Sequence, residues 1–156
     1  MEHGKDNRRE AESAEPEDKP TQDKPDLRRA IGFHGEDLAA RHLEEQGWEI
    51  VARNYELKIG EIDLVAARDE MVGYRTERRL AFVEVKTRRT CNGPPPEAAV
   101  HIKKRKRLVR LAGVFLQKEK LRRVNVRFDV IAVDLSQKDP QITHFEAAFD
   151  ADGAIC

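Results

Sequence analysis

The chain has 156 residues, of which 39% are apolar, 37% charged and 6% aromatic, which indicates one compact domain with a small core under an ionic surface. No run approaches the roughly 18 apolar residues of a membrane helix, and the N-terminus is acidic and polar. We therefore expect neither a membrane span nor a secretion signal, and a cytoplasmic location. The net charge of 0 is divided, since residues 1–26 carry a net −4 and residues 27–156 a net +4.

Residues 1–26 lack any apolar period and are rich in Glu, Asp, Lys and Pro, so they bury too little surface to offset the entropy of ordering. We predict a disordered acidic tail there. From Leu27 the apolar residues recur at helical spacing, and Gly47 follows in the position of a C-terminal cap. The pattern predicts a first helix over residues 27–46.

Three short apolar runs after this helix predict three β-strands. Their ranges are 48–54, 60–67 and 80–88. Residues 55–59 connect the first two strands. The polar stretch 68–79 makes the second and third strands most simply an antiparallel hairpin with a long loop. The sequence CNGPPP at 91–96 then breaks the chain.

A helix with a basic face and two further strands complete the pattern. Between residues 97 and 118 the apolar residues form one stripe, and most of the cations fall off it. The run 124–135 is mostly apolar, as expected of a covered strand, and residues 142–149 predict an edge strand. The predicted organisation is a disordered acidic tail, an α/β domain and a C-terminal tail, at residues 1–26, 27–149 and 150–156.

Strand alternation places acids and a lysine where they can meet. Successive side chains of a strand point to opposite faces, so Glu84 and Lys86 project together. In the neighbouring strand, Ile62 and Leu64 should share the face opposite Asp63. If the two strands pair as a hairpin, Asp63 and Glu84 converge.

Two carboxylates with open positions around them suit Mg²⁺ or Mn²⁺, because such ions take hard oxygen ligands and keep several waters. The metal would polarise a phosphoryl oxygen and lower the pKa of a bound water, as phosphodiester hydrolysis requires. Lys86 would orient that water or stabilise the charge developing on the phosphoryl group. The alternative is a solvated strand face with an ion pair worth at most ~1 kcal/mol. The Glu-x-Lys pattern is weak by itself, since it also occurs at Glu17–Lys19 and Glu56–Lys58.

Five segments of the chain carry a family pattern in a fixed order. They are GFHGEDLAARHLEEQGWEI, RNYELKIGEIDLVA, LAFVEVKTR, AVHIKKRKRL and RFDVIAV. Together they closely resemble the YraN-like family of bacterial proteins, which is related to Holliday-junction resolvases and to the PD-(D/E)xK nucleases. The resemblance covers most of residues 30–149. It implies an α/β, restriction-endonuclease-like three-layer core, with a mixed sheet of about five strands flanked by helices.

The resemblance also implies roles for four residues. Asp63 matches the metal-binding aspartate of the superfamily, Glu84 the second acid and Lys86 the lysine. Glu36 matches an additional glutamate that would join the metal and catalytic site. For Glu36 the alternative is a carboxylate that only favours the positive end of a helix. Two departures are Glu-Ile-Asp in place of Pro-Asp, and Asn92 where the family often has an aromatic residue.

Cations dominate the segment that follows the third strand. From Lys86 to Arg127 there are 14 Lys and Arg residues, against only Glu97 and Glu119 among the acids. Such a block favours binding of a phosphate backbone, and the few aromatics argue against base stacking. The resemblance makes DNA a better expectation than RNA. The alternative is a well-solvated helix face. The candidate nucleic-acid-binding residues are Arg88, Arg89, Lys103, Lys104, Arg105, Lys106, Arg107 and Arg110.

Other conspicuous groups indicate structure more than chemistry. Asp129 can pair with Arg127, and a structural ion pair is the favoured interpretation. Cys91 and Cys156 stand in no metal-type spacing, which fits a reducing compartment. The five histidines are scattered, so no zinc cluster can be drawn from their spacing.

Three hypotheses for function remain open. The first is a divalent-metal-dependent endonuclease that acts on DNA, including branched DNA. The second is a nucleic-acid-binding or scaffold protein that keeps a nuclease-like fold without catalysis. The third is a protein-interaction domain whose basic helix docks on an acidic partner, such as the acidic tail. We expect no membrane partner, and the resemblance implies that a homodimer can form, although the sequence shows no interface pattern.

Overall fold

A computed structural model describes residues 27–89 and 100–156 of the chain. The predicted disordered tail at 1–26 and the predicted break at 91–96 lie outside the described residues. The order helix, three strands, helix, two strands is confirmed. In chain order the elements are α1 Leu27–Glu45, β1 Glu49–Leu57, β2 Gly60–Val72, β3 Arg75–Arg88, α2 Ile102–Lys118, β4 Asn125–Asp134 and β5 Gln141–Phe149.

The five strands form one mixed sheet in the order β1-β2-β3-β4-β5. Strands β1, β2 and β3 are successively antiparallel, β3 and β4 are parallel, and β5 returns antiparallel at the edge. The parallel pair requires a crossover, and α2 supplies it. Helices α1 and α2 cover opposite faces of the sheet, so the expected α/β three-layer core is confirmed.

Each face of the sheet has its own apolar cluster. On the α2 side, the Phe82 ring packs against Phe115 and Phe128, with ring centroids 5.6 and 5.9 Å apart. On the α1 side, Leu43 and Trp48 pack against residues of β2, β3 and β4. The two clusters fix the central strands between the helices, and these strands carry the acidic residues.

The hairpin between β2 and β3 differs from its prediction. The long loop expected at 68–79 is wrong, because both strands continue through it and turn only at Gly73 and Tyr74. Ion pairs stabilise this polar ribbon, for example Arg78 with Asp69 at 3.1 Å. A polar sequence can form strand here because the ribbon extends beyond the core, so neither of its faces needs to be apolar.

The other element ends lie near their predictions, with two exceptions. β1 continues past Asn54 to Leu57, so the predicted connection at 55–59 shrinks to a turn at residues 58–59. Helix α2 begins at Ile102 and not at 97. Gly47, with φ +81°, ends α1 as the sequence predicted.

The residues after β5 fold back onto the domain. Ile155 forms an antiparallel bridge with Phe149, and Gly153 is buried. Neither α1 nor α2, the two helices of the described ranges, has the length and apolar character needed to cross a membrane.

Candidate active site

The side chains of β2 stop alternating at Asp63. Ile62 belongs to the apolar cluster on the α2 side, whereas Leu64 belongs to the cluster on the α1 side. We expected Ile62 and Leu64 to share a face, and that prediction is wrong. The paired strand β1 is irregular at the same level, because Asn54 has φ +47° and Tyr55 pairs with Ile62. Both strands therefore change face together at this level of the sheet.

The Asp63 carboxylate lies against the neighbouring strand β3. Its Oδ2 accepts a hydrogen bond from the backbone N–H of Val85 at 2.7 Å. Val85 stands between Glu84 and Lys86, which share the opposite face of β3 from the Val83 side chain. The structure therefore brings Asp63 beside the Glu84–Lys86 segment.

Glu84 is the most deeply buried acid of the site, with only 1% of its surface exposed. Its Oε1 is 2.9 Å from the Nζ of Lys86 on the same strand. The same oxygen accepts a hydrogen bond from Lys104 Nζ, which reaches across from α2. Two ammonium groups from different elements thus neutralise one buried carboxylate.

Lys104 was expected on the exposed basic face, and its contact with Glu84 was missed. A signal for it exists in the sequence. Lys104 stands four, seven and eleven residues before the buried Leu108, Leu111 and Phe115, so helical spacing aligns it with the edge of the buried stripe. A basic residue in register with an apolar stripe indicates a partner inside the fold.

The electrostatics of the site follow from burial. The pKa of Asp63 is raised to about 7, first by burial and then by the charge of Glu84, while the Val85 N–H and Lys104 oppose both effects. Burial lowers the pKa of Lys104, but Glu84, Asp63 and Lys86 together raise it by more, so that the pKa lies above its usual range. The two acids therefore repel each other, and Lys104 relieves part of that repulsion.

Glu36 approaches the acids from α1. Burial raises the pKa of its carboxyl, while a hydrogen bond from the Asn54 side chain lowers it. Its charge also raises the pKa of Asp63. Its Oε2 is buried without a hydrogen-bond partner. Because α1 begins at Leu27, Glu36 lies in the third turn of the helix, so the alternative that it serves the positive helix end is wrong.

Glu84 and Glu36 border different clefts, which lie on either side of the β1–β2 turn. A cleft of about 700 Å³ lies between this turn and α2 and reaches Glu84, Lys104 and Arg107. A smaller cleft of about 360 Å³ on the α1 side reaches Glu36. Gly60 has φ +142°, and a Cβ there would lie 2.9 Å from the Cδ of Arg107, so a glycine is required for this close approach.

The residues present fit a hard divalent cation. Within residues 27–89 and 100–156, no three His, Cys, Asp or Glu side chains are grouped closely enough to form a metal cluster. Mg²⁺ needs only one or two carboxylates, because it keeps waters and takes phosphate oxygens as further ligands. Asp63 and Glu84 supply such a pair, and the partnerless oxygen of Glu36 adds an acceptor nearby.

The predicted basic face is divided between surface and interior. Arg105 does not belong to the exposed face, contrary to our expectation. It is 8% exposed, and its Nε donates to the Val100 carbonyl at 2.6 Å and its Nη1 to the Gly153 carbonyl at 3.2 Å. Helical spacing explains the burial, since Leu108 and Ala112 follow on the same side. The exposed cations of the predicted basic face are Lys103, Lys106, Arg107 and Arg110.

The two arginines at the end of β3 continue the site toward solvent. Arg88 pairs with Asp134 of β4 through a 2.9 Å contact, so part of its charge is already compensated. Arg89 is exposed.

Asp129 is a structural acid, as the sequence indicated. It is fully buried, and its Oδ2 accepts from Arg127 at 2.9 Å and is 2.7 Å from the Nε2 of His144. Its Oδ1 accepts from the backbone N–H of Ala147 at 3.0 Å. These contacts tie β4 to the edge strand β5.

Comparison with known proteins gives consistent matches over most of the chain. A sequence profile described as "Uncharacterised protein family UPF0102" matches residues 35–133. The chain is similar to a UPF0102 protein of Syntrophotalea carbinolica, at 41% identity over 126 residues, which cover 81% of this chain and 96% of the relative. A UPF0102 protein of Rhodococcus opacus is 43% identical over 121 residues, covering 77% and 96%. One of Myxococcus xanthus is 39% identical over 127 residues, covering 81% and 94%. The profile match contains Glu36, Asp63, Glu84, Lys86 and Lys104.

Proposed function

The chain belongs to the UPF0102 family, and we propose that it is a divalent-metal-dependent endonuclease that hydrolyses phosphodiester bonds in DNA. Branched DNA is the first substrate class to test, and the proposal assigns the protein to the cytoplasm. The observation that carries the proposal is the 2.7 Å hydrogen bond from the Val85 N–H to Asp63. It holds one buried acid beside a second acid, Glu84, and beside Lys86.

Asp63 and Glu84 would hold the metal, which is Mg²⁺ or Mn²⁺ in this proposal. When bound, the metal supplies a charge that polarises a phosphoryl oxygen and lowers the pKa of a bound water. The hydrogen bond from the Val85 N–H to Oδ2 fixes the orientation of the Asp63 carboxylate, so that its other oxygen would be available to the metal.

The chain's own groups would carry the remaining steps. Lys86, one-third exposed beside Glu84, would donate hydrogen bonds to the phosphoryl oxygens as negative charge develops on them. The attacking water forms the new P–O bond and loses a proton, and Glu36 Oε2 would accept that proton. The ester P–O bond breaks, and its oxygen leaves protonated by a solvent water.

The exposed cations in the first half of α2 would hold the nucleic acid. Lys103, Lys106, Arg107 and Arg110 lie on the helix that also lines the larger cleft. Such a surface binds phosphate groups without reading bases, so affinity should fall steeply with salt. DNA is the expected substrate in this proposal. Cleavage of RNA but not of DNA under the same conditions would show that the substrate is RNA.

The test is a cleavage assay on linear, nicked and branched DNA with Mg²⁺ or Mn²⁺. We expect cleavage by the unaltered protein, and loss of cleavage with retained binding in Asp63→Ala and Lys86→Ala. Asp139→Ala and Lys118→Ala are matched controls, because both residues are exposed and lie outside the site. If the unaltered protein binds DNA but cuts no substrate with either metal, the catalytic proposal fails.

One observation favours a second candidate, a nucleic-acid-binding or scaffold protein without catalysis. Glu84 is already paired with Lys86 and Lys104, so the charges are balanced without a metal. In that case binding would be insensitive to chelators, and Asp63→Ala would change stability without changing any reaction.

A further inference from the structure

Lys86 and Lys104 share one oxygen of Glu84 but differ in their surroundings. Lys86 stands on β3, two residues from Glu84. Lys104 comes from α2 and lines the larger cleft together with Arg107. Its side chain is 43% exposed, so the ammonium group can leave Glu84 and remain solvated in the cleft.

A divalent cation at Asp63 and Glu84 would lie next to both ammonium groups. The cation and the ammonium groups would repel each other strongly, because all of them would contact the same carboxylate. Screening by water is weak there, since Glu84 is only 1% exposed. The metal and Lys104 therefore compete for the same carboxylate. Of the two lysines, Lys104 has the open cleft beside it.

We propose that Lys104 is a built-in counter-ion that occupies Glu84 in the metal-free protein and is displaced when a divalent cation binds. Displacement releases its ammonium group into the cleft, where it can pair with a substrate phosphate. Lys104 thereby links metal binding to nucleic-acid binding. This inference rests on the proposed function, because it takes Asp63 and Glu84 as the metal-binding pair.

Calorimetric titration with Mn²⁺ in the absence of nucleic acid tests the competition. We expect Lys104→Met to bind Mn²⁺ about tenfold more tightly than the unaltered protein, since one repelling charge is removed. Lys118→Met, which removes the same charge from the exposed end of the same helix, should change the affinity less than about twofold. An affinity of Lys104→Met equal to or weaker than that of the unaltered protein would overturn the proposal.

Mn²⁺ titration of Asp63→Asn distinguishes failure of this inference from failure of the proposed function. If the unaltered protein and Asp63→Asn bind Mn²⁺ equally, the metal pair is wrong, and the proposed function and the counter-ion role fall together. If Asp63→Asn loses binding but Lys104→Met gains none, only the counter-ion role fails.

A second readout covers the case in which Lys104→Met is unfolded in a chelator. Recovery of a cooperative thermal transition on addition of Mn²⁺ would support the proposal, because the metal then replaces the missing charge. Failure to recover, under conditions where Mn²⁺ raises the Tm of the unaltered protein, would overturn it.

Discussion

Gly35 of α1 lies directly against Thr87 of β3. A Cβ on Gly35 would overlap the Thr87 hydroxyl and lie 2.9 Å from the Thr87 Cβ. This close approach sets α1 against β3, and the next residue, Glu36, then meets the Asn54 side chain of β1. The helix is thus positioned by the absence of a side chain.

Gly35→Ala should destabilise the protein although alanine is the better helix former. The added methyl group forces α1 away from β3, and overpacking of this kind costs about 1–3 kcal/mol. Gly32→Ala is the matched control, because a Cβ at Gly32 meets nothing within 4 Å and should stabilise α1 by up to about 1 kcal/mol. Urea unfolding measures both. Equal stability of the two variants would show that the helix does not pack on Thr87 in this way.

Asp63→Asn should remove a pH dependence of stability. Because the pKa of Asp63 is about 7 in the folded protein, well above the value near 4 of an exposed Asp, the folded state retains a proton that the unfolded state has lost. Asp63 therefore leaves the free energy of unfolding unchanged below pH ~4 and lowers it progressively as the pH rises to ~7. Above that pH the loss of stability is constant.

The measurement is urea unfolding of both proteins in a chelator at pH 4.5 and pH 8. Asparagine keeps an oxygen that can accept the Val85 N–H, so the comparison isolates the charge. At pH 8 the variant should be more stable than the unaltered protein by up to about 4 kcal/mol, and at pH 4.5 by much less. If the stability of the two proteins changed with pH in parallel, burial would not raise the pKa of Asp63 in this way.

Asp129→Asn should destabilise the protein by about 3 kcal/mol, because the Arg127 guanidinium loses its buried ionic partner and keeps only the exposed Glu146 among the described residues. Asp134→Asn is the control, since Asp134 pairs with Arg88 at a more exposed position and its loss should have little effect. Thermal unfolding followed by circular dichroism measures both. A small effect at Asp129 would mean that its ionic contacts add little to the backbone pairing and packing of β4 with β5.

Single substitutions to Ala at Lys103, Lys106 and Arg110 should each weaken DNA binding to a similar extent on all sequences. Each should also reduce the slope of log affinity against log salt by about 1, because one phosphate contact is lost. Arg105→Ala should instead lower the Tm, since its guanidinium holds the Val100 and Gly153 carbonyls inside the fold. Fluorescence anisotropy over a salt series separates the two effects, and an unchanged slope in all three surface variants would exclude α2 as the binding surface.

Much of the fold could be predicted from periodicity. The helical stripe of α2 and the apolar runs of β3 and β4 have one dominant period each, so their order and faces follow from elementary geometry. The resemblance to the YraN-like family, which is the UPF0102 family, is confirmed. The pairing of β2 with β3 as an antiparallel hairpin is also confirmed.

The features that the sequence did not predict depend on tertiary structure. The polar ribbon at 68–79 has no apolar alternation, because it lies beyond the core. The change of face between Ile62 and Leu64 arises where Asn54 has a left-handed backbone, which no period reports. Lys104 and Arg105 look alike in a run of five cations, yet one binds Glu84 and the other binds buried carbonyls. Glu84 and Gly153 are distant in sequence from these two residues, so helical spacing indicates burial at this position but not the groups that are contacted.

The most direct test of the metal-binding pair is a crystal structure of the protein with Mn²⁺, with the ion located by its anomalous scattering. We expect an anomalous peak about 2 Å from carboxylate oxygens of both Asp63 and Glu84, with Lys104 turned away from Glu84. A structure with no peak at these acids under saturating Mn²⁺, and with Lys86 and Lys104 still on Glu84, would contradict it.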